Sequence, residues 1–125
     1  MTTAISALLG SGNYIARGVY QHTWSATISG RGNPLSAANL PDKTVQITGP
    51  TGGTSRVILE GSNGAPSTAD TATWITMRSV TDGAIDTTNA TGGLFFQFRG
   101  NPRMIRPHFD TVTTGKTLSV IIVAK

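Results

Sequence analysis

Hydrophobic and polar residues alternate with a period of two along several short stretches of this chain. Val45 and Ile47 are separated by polar residues within 43–49, and the same alternation continues through 55–61. Successive side chains of a β-strand point to opposite faces, so this period predicts half-buried strands. Between them, residues 50–53 (Pro-Thr-Gly-Gly) have turn chemistry. The sequence therefore predicts a hairpin over Lys43–Gly61.

Further strands are predicted by alternation or by aromatic and β-branched residues between turn residues. They are 14–30, 71–80, 94–99, 104–112 and 117–124. Pro107 predicts that 104–112 is an edge strand or carries a bulge, because proline donates no backbone hydrogen bond. Seven or eight short strands separated by turns predict an all-β fold, a single β-sandwich with jelly-roll-like or immunoglobulin-like strand order.

The last predicted strand is apolar on both faces. Leu118, Val120 and Ile122 lie on one face, and Ile121 and Val123 lie on the other. A strand with two apolar faces is covered on both sides. The sandwich core covers one face, and either the N-terminal segment or another subunit covers the other.

Residues 1–13 are predicted to form an arm that precedes the sandwich domain, 14–125. The arm contacts its own domain or a neighbouring molecule through apolar candidate interface residues, which are Ile5, Leu8 and Leu9. No Lys or Arg precedes this apolar patch, which argues against a secretory signal. No apolar run approaches the roughly 20 residues of a membrane span, so no membrane contact is expected.

Composition excludes several classes of chemistry. The 125 residues include no cysteine, so thiol catalysis, disulfides and cysteine zinc sites are ruled out. Charged residues make up only 13%, while Thr, Ser and Gly account for 45 positions, which suits strands and turns. The net charge of +4 is too small to indicate nucleic-acid binding by itself.

Catalytic and cofactor motifs are not recognisable. The two histidines, His22 and His108, have no nucleophile at a recognisable spacing, and the glycine-rich run 49–55 lacks the lysine of a phosphate-binding loop. His108 and Asp110 are expected to form a simple polar pair. The sequence predicts a protein that is not an enzyme, with no cofactor and no metal.

One cluster of cations is a candidate contact with an acidic protein surface. Arginine is enriched at interface hot spots, and three arginines fall within eight residues: Arg99, Arg103 and Arg106. The neighbouring run 94–99 interleaves phenylalanines with a cation, but we expect Phe96 and Phe98 in the core and Phe95 partly exposed. Nucleic-acid binding is therefore not expected.

Two longer motifs resemble those of a known class of proteins. The first is Val57–Gly64, followed by Trp74, and the second is Pro102–Pro107, followed by the apolar C-terminal strand. Over roughly residues 43–125 the chain resembles small β-sandwich virion proteins of tailed bacteriophages, of the head-decoration or capsid-cement kind. The resemblance implies a non-enzymatic protein on the capsid exterior of the virion. It would bind the major capsid protein, often as a homotrimer, and stabilise the head.

The main alternative is a phage tail or fibre module, or a carbohydrate-binding sandwich. Sugar sites combine exposed aromatic rings with polar side chains. The candidate rings are Trp24, Trp74, Tyr14 and Tyr20.

Overall fold

Two antiparallel sheets stack face to face in the computed structural model, which describes residues 11–36, 38–81, 83–89 and 93–125. In spatial order, sheet A contains β1 (Ser11–Ala16), β2 (Val19–Ala26), β11 (Leu118–Ala124), β4 (Lys43–Thr48), β9 (Leu94–Arg99) and β7 (Arg78–Ser79). Sheet B contains β3 (Gly30–Arg31), β10 (Met104–Val112), β5 (Ser55–Ser62) and β6 (Ile75–Thr76), with β8 (Asp86–Thr88) also on β5. Residues Pro66–Thr71 form a 3₁₀ helix.

The strand order confirms the predicted all-β sandwich and decides between its two forms. The order β2–β11–β4–β9 in one sheet faces β3–β10–β5 with β6 and β8 in the other. From β2 to β5, and again from β6 to β11, consecutive strands alternate between the sheets, and the last two strands return between earlier ones. This arrangement is the jelly roll. Strands β1 and β7 extend sheet A at its two edges.

The predicted hairpin over Lys43–Gly61 is wrong, although both of its strands exist. Strand β4 pairs with β11 and β9, whereas β5 pairs with β10, β6 and β8. The turn at 50–53 therefore carries the chain from one sheet to the other. The alternation itself was read correctly, because Val45, Ile47, Val57 and Leu59 are all buried in the core.

The predicted strand 14–30 is two strands joined by a tight turn. Strands β1 and β2 pair as a hairpin through the two-residue loop Arg17-Gly18, and Gly18 has φ +74°. That backbone conformation favours glycine. On β2 the buried alternation runs through Trp24 and Ala26 and then stops, since Ile28 is exposed. Of the predicted arm 1–13, residues 11–13 begin β1, and residues 1–10 lie outside the described part of the chain.

The predicted strand 71–80 is also divided. After the 3₁₀ helix, β6 joins sheet B and β7 joins sheet A. Met77, between them, is buried and its N–H donates to the Leu59 carbonyl. The segment 75–79 therefore closes one side of the sandwich by stepping from one sheet to the other.

Pro107 lies inside sheet B, and the predicted bulge is present. Strand β10 runs between β3 and β5, and its pairing with β5 shifts register between Phe109 and Thr111. Pro107 is opposite Leu59, whose own N–H and C=O bond to the strand segments on its far side. The missing proline N–H consequently removes no bond from the β10–β5 ladder.

The core lies between the inner faces of the two sheets. Its large, fully buried side chains include Trp24, Phe109, Ile47, Leu59, Ile85, Leu118 and Ile122. Phe96 and Phe98 pack against it and Phe95 is 76% exposed, as predicted. The Trp24 indole N–H donates to the Asn33 carbonyl at 3.0 Å, so this buried ring leaves no polar group unsatisfied.

Candidate interaction surfaces

The outer face of sheet A carries no charge on β2, β11 and β4, and on β9 only its last residue, Arg99, is charged. The side chains on this face alternate with buried core residues, and cross-strand pairing places them in rows. We call this surface the neutral face. It comprises Gln21, Thr23, Ser25, Thr44, Gln46, Thr48, Phe95, Gln97, Ser119, Ile121 and Val123.

Apolar side chains lie among amides and hydroxyls on the neutral face. Ile121 is flanked by Thr23 and Gln46, and Gln46 is in turn the partner of the exposed Phe95. Glutamine can donate two hydrogen bonds and accept others, so this row can form hydrogen bonds around a small apolar centre. The two-faced apolar character of β11 predicted this surface. Both predicted occupants, the N-terminal segment and another subunit, remain open at this point.

The outer face of sheet B differs because it is densely charged. Arg56 donates to both carboxylate oxygens of Asp86, at 3.0 and 2.8 Å, and also to Asp110 at 3.4 Å. His108 lies 3.8 Å from Asp110, the polar pair expected from the sequence. Burial, followed by the nearby Arg31 charge, lowers the pKa of His108. These groups satisfy one another within the chain.

The three clustered arginines do not share one environment. Arg106 is buried on β10, where its Nε donates to Glu60 at 3.0 Å and its guanidinium stacks 3.9 Å from the Trp74 ring centre. Burial lowers the pKa of Arg106, and the Glu60 carboxylate opposes that shift. Arg106 therefore connects β10 to Glu60 and to Trp74, and we call this set of contacts the Arg106 clamp. The sequence could not show this contact, because Glu60 lies 46 positions away.

Arg99 and Arg103 are exposed, and both are near a cleft at one end of the sandwich. Arg99 lines the cleft directly, while the Arg103 N–H donates to the Asn63 side chain, which also lines it. Arg78 on β7 is the cross-strand partner of Arg99 and adds a third cation that the sequence analysis missed. Because Arg78 and Arg99 are far apart in the sequence, the sequence analysis could not place them side by side. Their role in binding stays a prediction.

The cleft has a volume of about 510 Å³, and both apolar and polar residues line it. Its apolar part includes Ile75, Met77 and Pro102, and Asn101 contributes an amide. The Asn101 side chain accepts a hydrogen bond from the buried ammonium of Lys43 and donates to the Ala38 carbonyl at 2.9 Å. This end of the sandwich is therefore held firmly and carries positive charge, which favours an acidic group on a partner.

The two histidines have different surroundings, and His108 is the one that lies beside Asp110. His22 is buried beside Trp24, with 4.3 Å between ring centres, and burial lowers its pKa. Its Nδ1 lies 3.5 Å from the Tyr20 hydroxyl, and its Nε2 is buried without a hydrogen-bond partner.

Among the described residues, no group of His, Asp and Glu could hold a metal ion. No helix in the described part of the chain is long and apolar enough to cross a membrane.

The aromatic rings considered for carbohydrate binding are mostly engaged elsewhere. Trp24 is fully buried, and the Trp74 indole donates to the Ala69 carbonyl while its ring stacks on Arg106. Tyr20 is partly buried in the core cluster. Tyr14, which is 65% exposed, is the one of the four rings available as a stacking platform.

The candidate interface residues Ile5, Leu8 and Leu9 lie outside the residues that the structure describes.

Comparison with known proteins shows similarity in fold but not in sequence. No protein-family model matches the chain, and no curated protein matches it. Among solved structures, the SPBc2 prophage-derived protein YomS is similar over 90% of this chain and 100% of its own, with a TM-score of 0.59 and 16% identity. The PBSX exported protein XepA is similar over 83% of this chain, with a TM-score of 0.53 and 19% identity. This chain spans 38% of the XepA chain. At these identities, the similarity establishes the shared β-sandwich fold.

Proposed function

We propose that this protein is a bacteriophage head-decoration protein that binds the major capsid protein through the neutral face of sheet A. The observation that carries this proposal is the contrast between the two outer faces. Sheet B satisfies its charges internally, whereas the neutral face presents uncharged hydrogen-bonding groups around Ile121 and Phe95. A surface depleted of charge at its centre and enriched in aromatic and apolar groups is typical of protein interfaces.

The cleft arginines support the same orientation. Arg78 and Arg99 extend sheet A beyond the neutral face, at the end where β9 finishes. Charged groups at an interface rim steer and orient a partner more than they tighten binding. The partner surface would therefore be uncharged opposite Ile121 and acidic opposite the arginines.

Two further observations favour a phage particle as the setting. The sequence motifs resemble those of phage head-decoration proteins, and YomS, a prophage-derived protein by name, shares the fold over its full length. A rigid sandwich on an icosahedral shell contacts several subunits at once, so modest contacts add through multivalency. The protein would function as a homotrimer on the capsid exterior.

Copy number in purified phage particles from the source tests this function. Quantitative mass spectrometry against the major capsid protein should give a number comparable with that of the shell subunit. A few copies in each particle would instead place the chain in the tail or a fibre, and absence from the particle would overturn a virion role altogether.

A further inference from the structure

Strand β1 is an exception among the sheet edges of this molecule. The other edges are formed by β7, β3 and β6 with two residues each and by β8 with three, whereas β1 has six. Native proteins blunt their sheet edges with short strands, charges or proline, because unpaired backbone groups recruit another strand. The β1 sequence, Ser-Gly-Asn-Tyr-Ile-Ala, contains neither charge nor proline.

Strand β1 also exposes large apolar side chains, and its pairing with β2 is regular over most of its length. Tyr14 is 65% exposed and Ile15 is 53% exposed. Its register shift lies between Tyr14 and Ala16, at the hairpin end, so Ser11–Tyr14 remain in continuous register with β2. A Cβ at Gly12 would lie 1.8 Å from the Tyr20 hydroxyl, so glycine leaves room for the Tyr20 side chain beside β1. Within the described residues, nothing pairs with the outer side of this strand.

We propose that residues 1–9 of a second copy of this chain add as a strand to the outer edge of β1. The segment Met-Thr-Thr-Ala-Ile-Ser-Ala-Leu-Leu is uncharged in its side chains and apolar at Ile5, Leu8 and Leu9, which matches the uncharged edge. Nine extended residues span roughly 30 Å, and the six of β1 span roughly 20 Å, so the segment is long enough. One contact thus covers both the exposed strand and the apolar arm.

Turn chemistry favours a second copy over the same copy as the donor. Ser11 is already fixed opposite Thr23, so a return onto the same β1 would have to reverse the chain by Gly10. A two-residue hairpin would place Leu9 at a position that requires glycine or asparagine. A three-residue hairpin would place both Leu8 and Leu9 in an exposed turn. Donation to another copy needs no such turn.

Donation from one copy to the next is a head-to-tail contact. Such heterologous contacts close into rings when the rotation between neighbours permits. This geometry is compatible with the proposed homotrimer, but it does not depend on binding to a capsid.

Disulfide trapping tests the proposal in the full chain, which has no cysteine of its own. Three arm variants, Thr3→Cys, Ile5→Cys and Ala7→Cys, are each mixed with Ile15→Cys under mild oxidation, with one member carrying a mass tag. Sampling three positions covers either strand direction. We expect at least one mixture to form the tagged heterodimer, at a yield at least tenfold above that of the exposed-loop control Thr51→Cys mixed with the same arm variant.

A double variant separates the two possible donors. For the arm position that cross-links best, the chain that carries both cysteines is oxidised over a hundredfold dilution series. We expect intermolecular products that disappear on dilution. A monomeric product that persists at every dilution would show that the arm folds onto its own β1, and trapping no better than the Thr51→Cys control would show that β1 has no such occupant. Either result overturns the proposal, and neither bears on the copy number in particles.

Discussion

The outer face of sheet B pairs its charges within the chain, whereas the outer face of sheet A presents mainly uncharged polar and apolar side chains. On sheet B, Arg56, Asp86 and Asp110 form one ion-pair group, and Arg31, Glu60 and Arg106 form another. On sheet A, Ile121 and Val123 lie among amides and hydroxyls with no charge on the neutral face. A sandwich can therefore use one sheet to satisfy its own charges and leave the other for a partner.

The largest expected effect of a single substitution is at the Arg106 clamp of sheet B. Arg106→Ala leaves Glu60 partly buried with only the longer contact to Arg31, at 3.7 Å, and removes the stacking on Trp74. Breaking a buried ion pair by removing one partner costs about 3 kcal/mol or more. Urea denaturation of the purified chain should show a loss of about 3 kcal/mol in the free energy of unfolding.

The matched control for this clamp is Arg103→Ala, three positions earlier on an exposed segment. Its effect should stay within about 0.5 kcal/mol, as for ordinary surface substitutions. Equal losses for the two variants would mean that Arg106 does not act as a buried clamp. It would also mean that the sheet B network is less complete than its geometry suggests.

An intermediate effect is expected from the two histidines, one in each sheet. The pKa of His22 is lowered from its ordinary 6.5 by burial, and that of His108 is lowered by burial and by Arg31. The unfolded chain therefore takes up protons first as the pH falls below about 6.5, and the folded state loses stability until the pH passes the lowered values. Above that window neither residue contributes a pH dependence.

Chemical denaturation between pH 7.5 and 5 should show this decline. His22→Gln should flatten it more than His108→Gln, because His22 is the more buried of the two and its shift is due to burial alone. The slope is the readout, since either variant can lower stability at every pH. A decline that is unchanged in the double variant would assign it to other groups.

The smallest effect is expected at Arg56, on the exposed part of sheet B. Arg56→Ala removes a bidentate contact with Asp86, which also lowers the pKa of that carboxyl below its ordinary 3.8. We expect a destabilisation well below that of Arg106→Ala, and one that shrinks at about 1 M salt because exposed pairs are screened. It should also vanish as Asp86 is protonated. A large effect that salt does not change would contradict this ranking of the two networks.

The strands could be read from the sequence because burial imposes a period of two. Val45 and Ile47, Val57 and Leu59, and the inner residues of β11 were each grouped on one face of their strand, and those faces are buried in the structure. The pairing of strands was harder to predict. Residues 50–53 have the chemistry of a hairpin turn, but the same residues also serve a connection between sheets, and local chemistry does not separate the two.

The candidate site was only partly predictable for a similar reason. The second apolar face of β11 is a local pattern, and it pointed to the neutral face. By contrast, the clustering of Arg99, Arg103 and Arg106 in sequence combined two exposed residues with one structural clamp. Glu60, Trp74 and Arg78 determine the surroundings of these arginines, and they lie on distant segments that only the fold brings together.

A capsid-binding comparison of two lysine variants tests the central claim most directly. Ile121→Lys places a charge on the neutral face, and Ile58→Lys places the same charge on the outer face of sheet B, opposite Asp86. After equal circular dichroism melting is verified, both are co-sedimented with capsids that lack this protein. The account predicts at least tenfold weaker binding for Ile121→Lys and near-unchanged binding for Ile58→Lys. The reverse order, or equal binding of both variants, would contradict it.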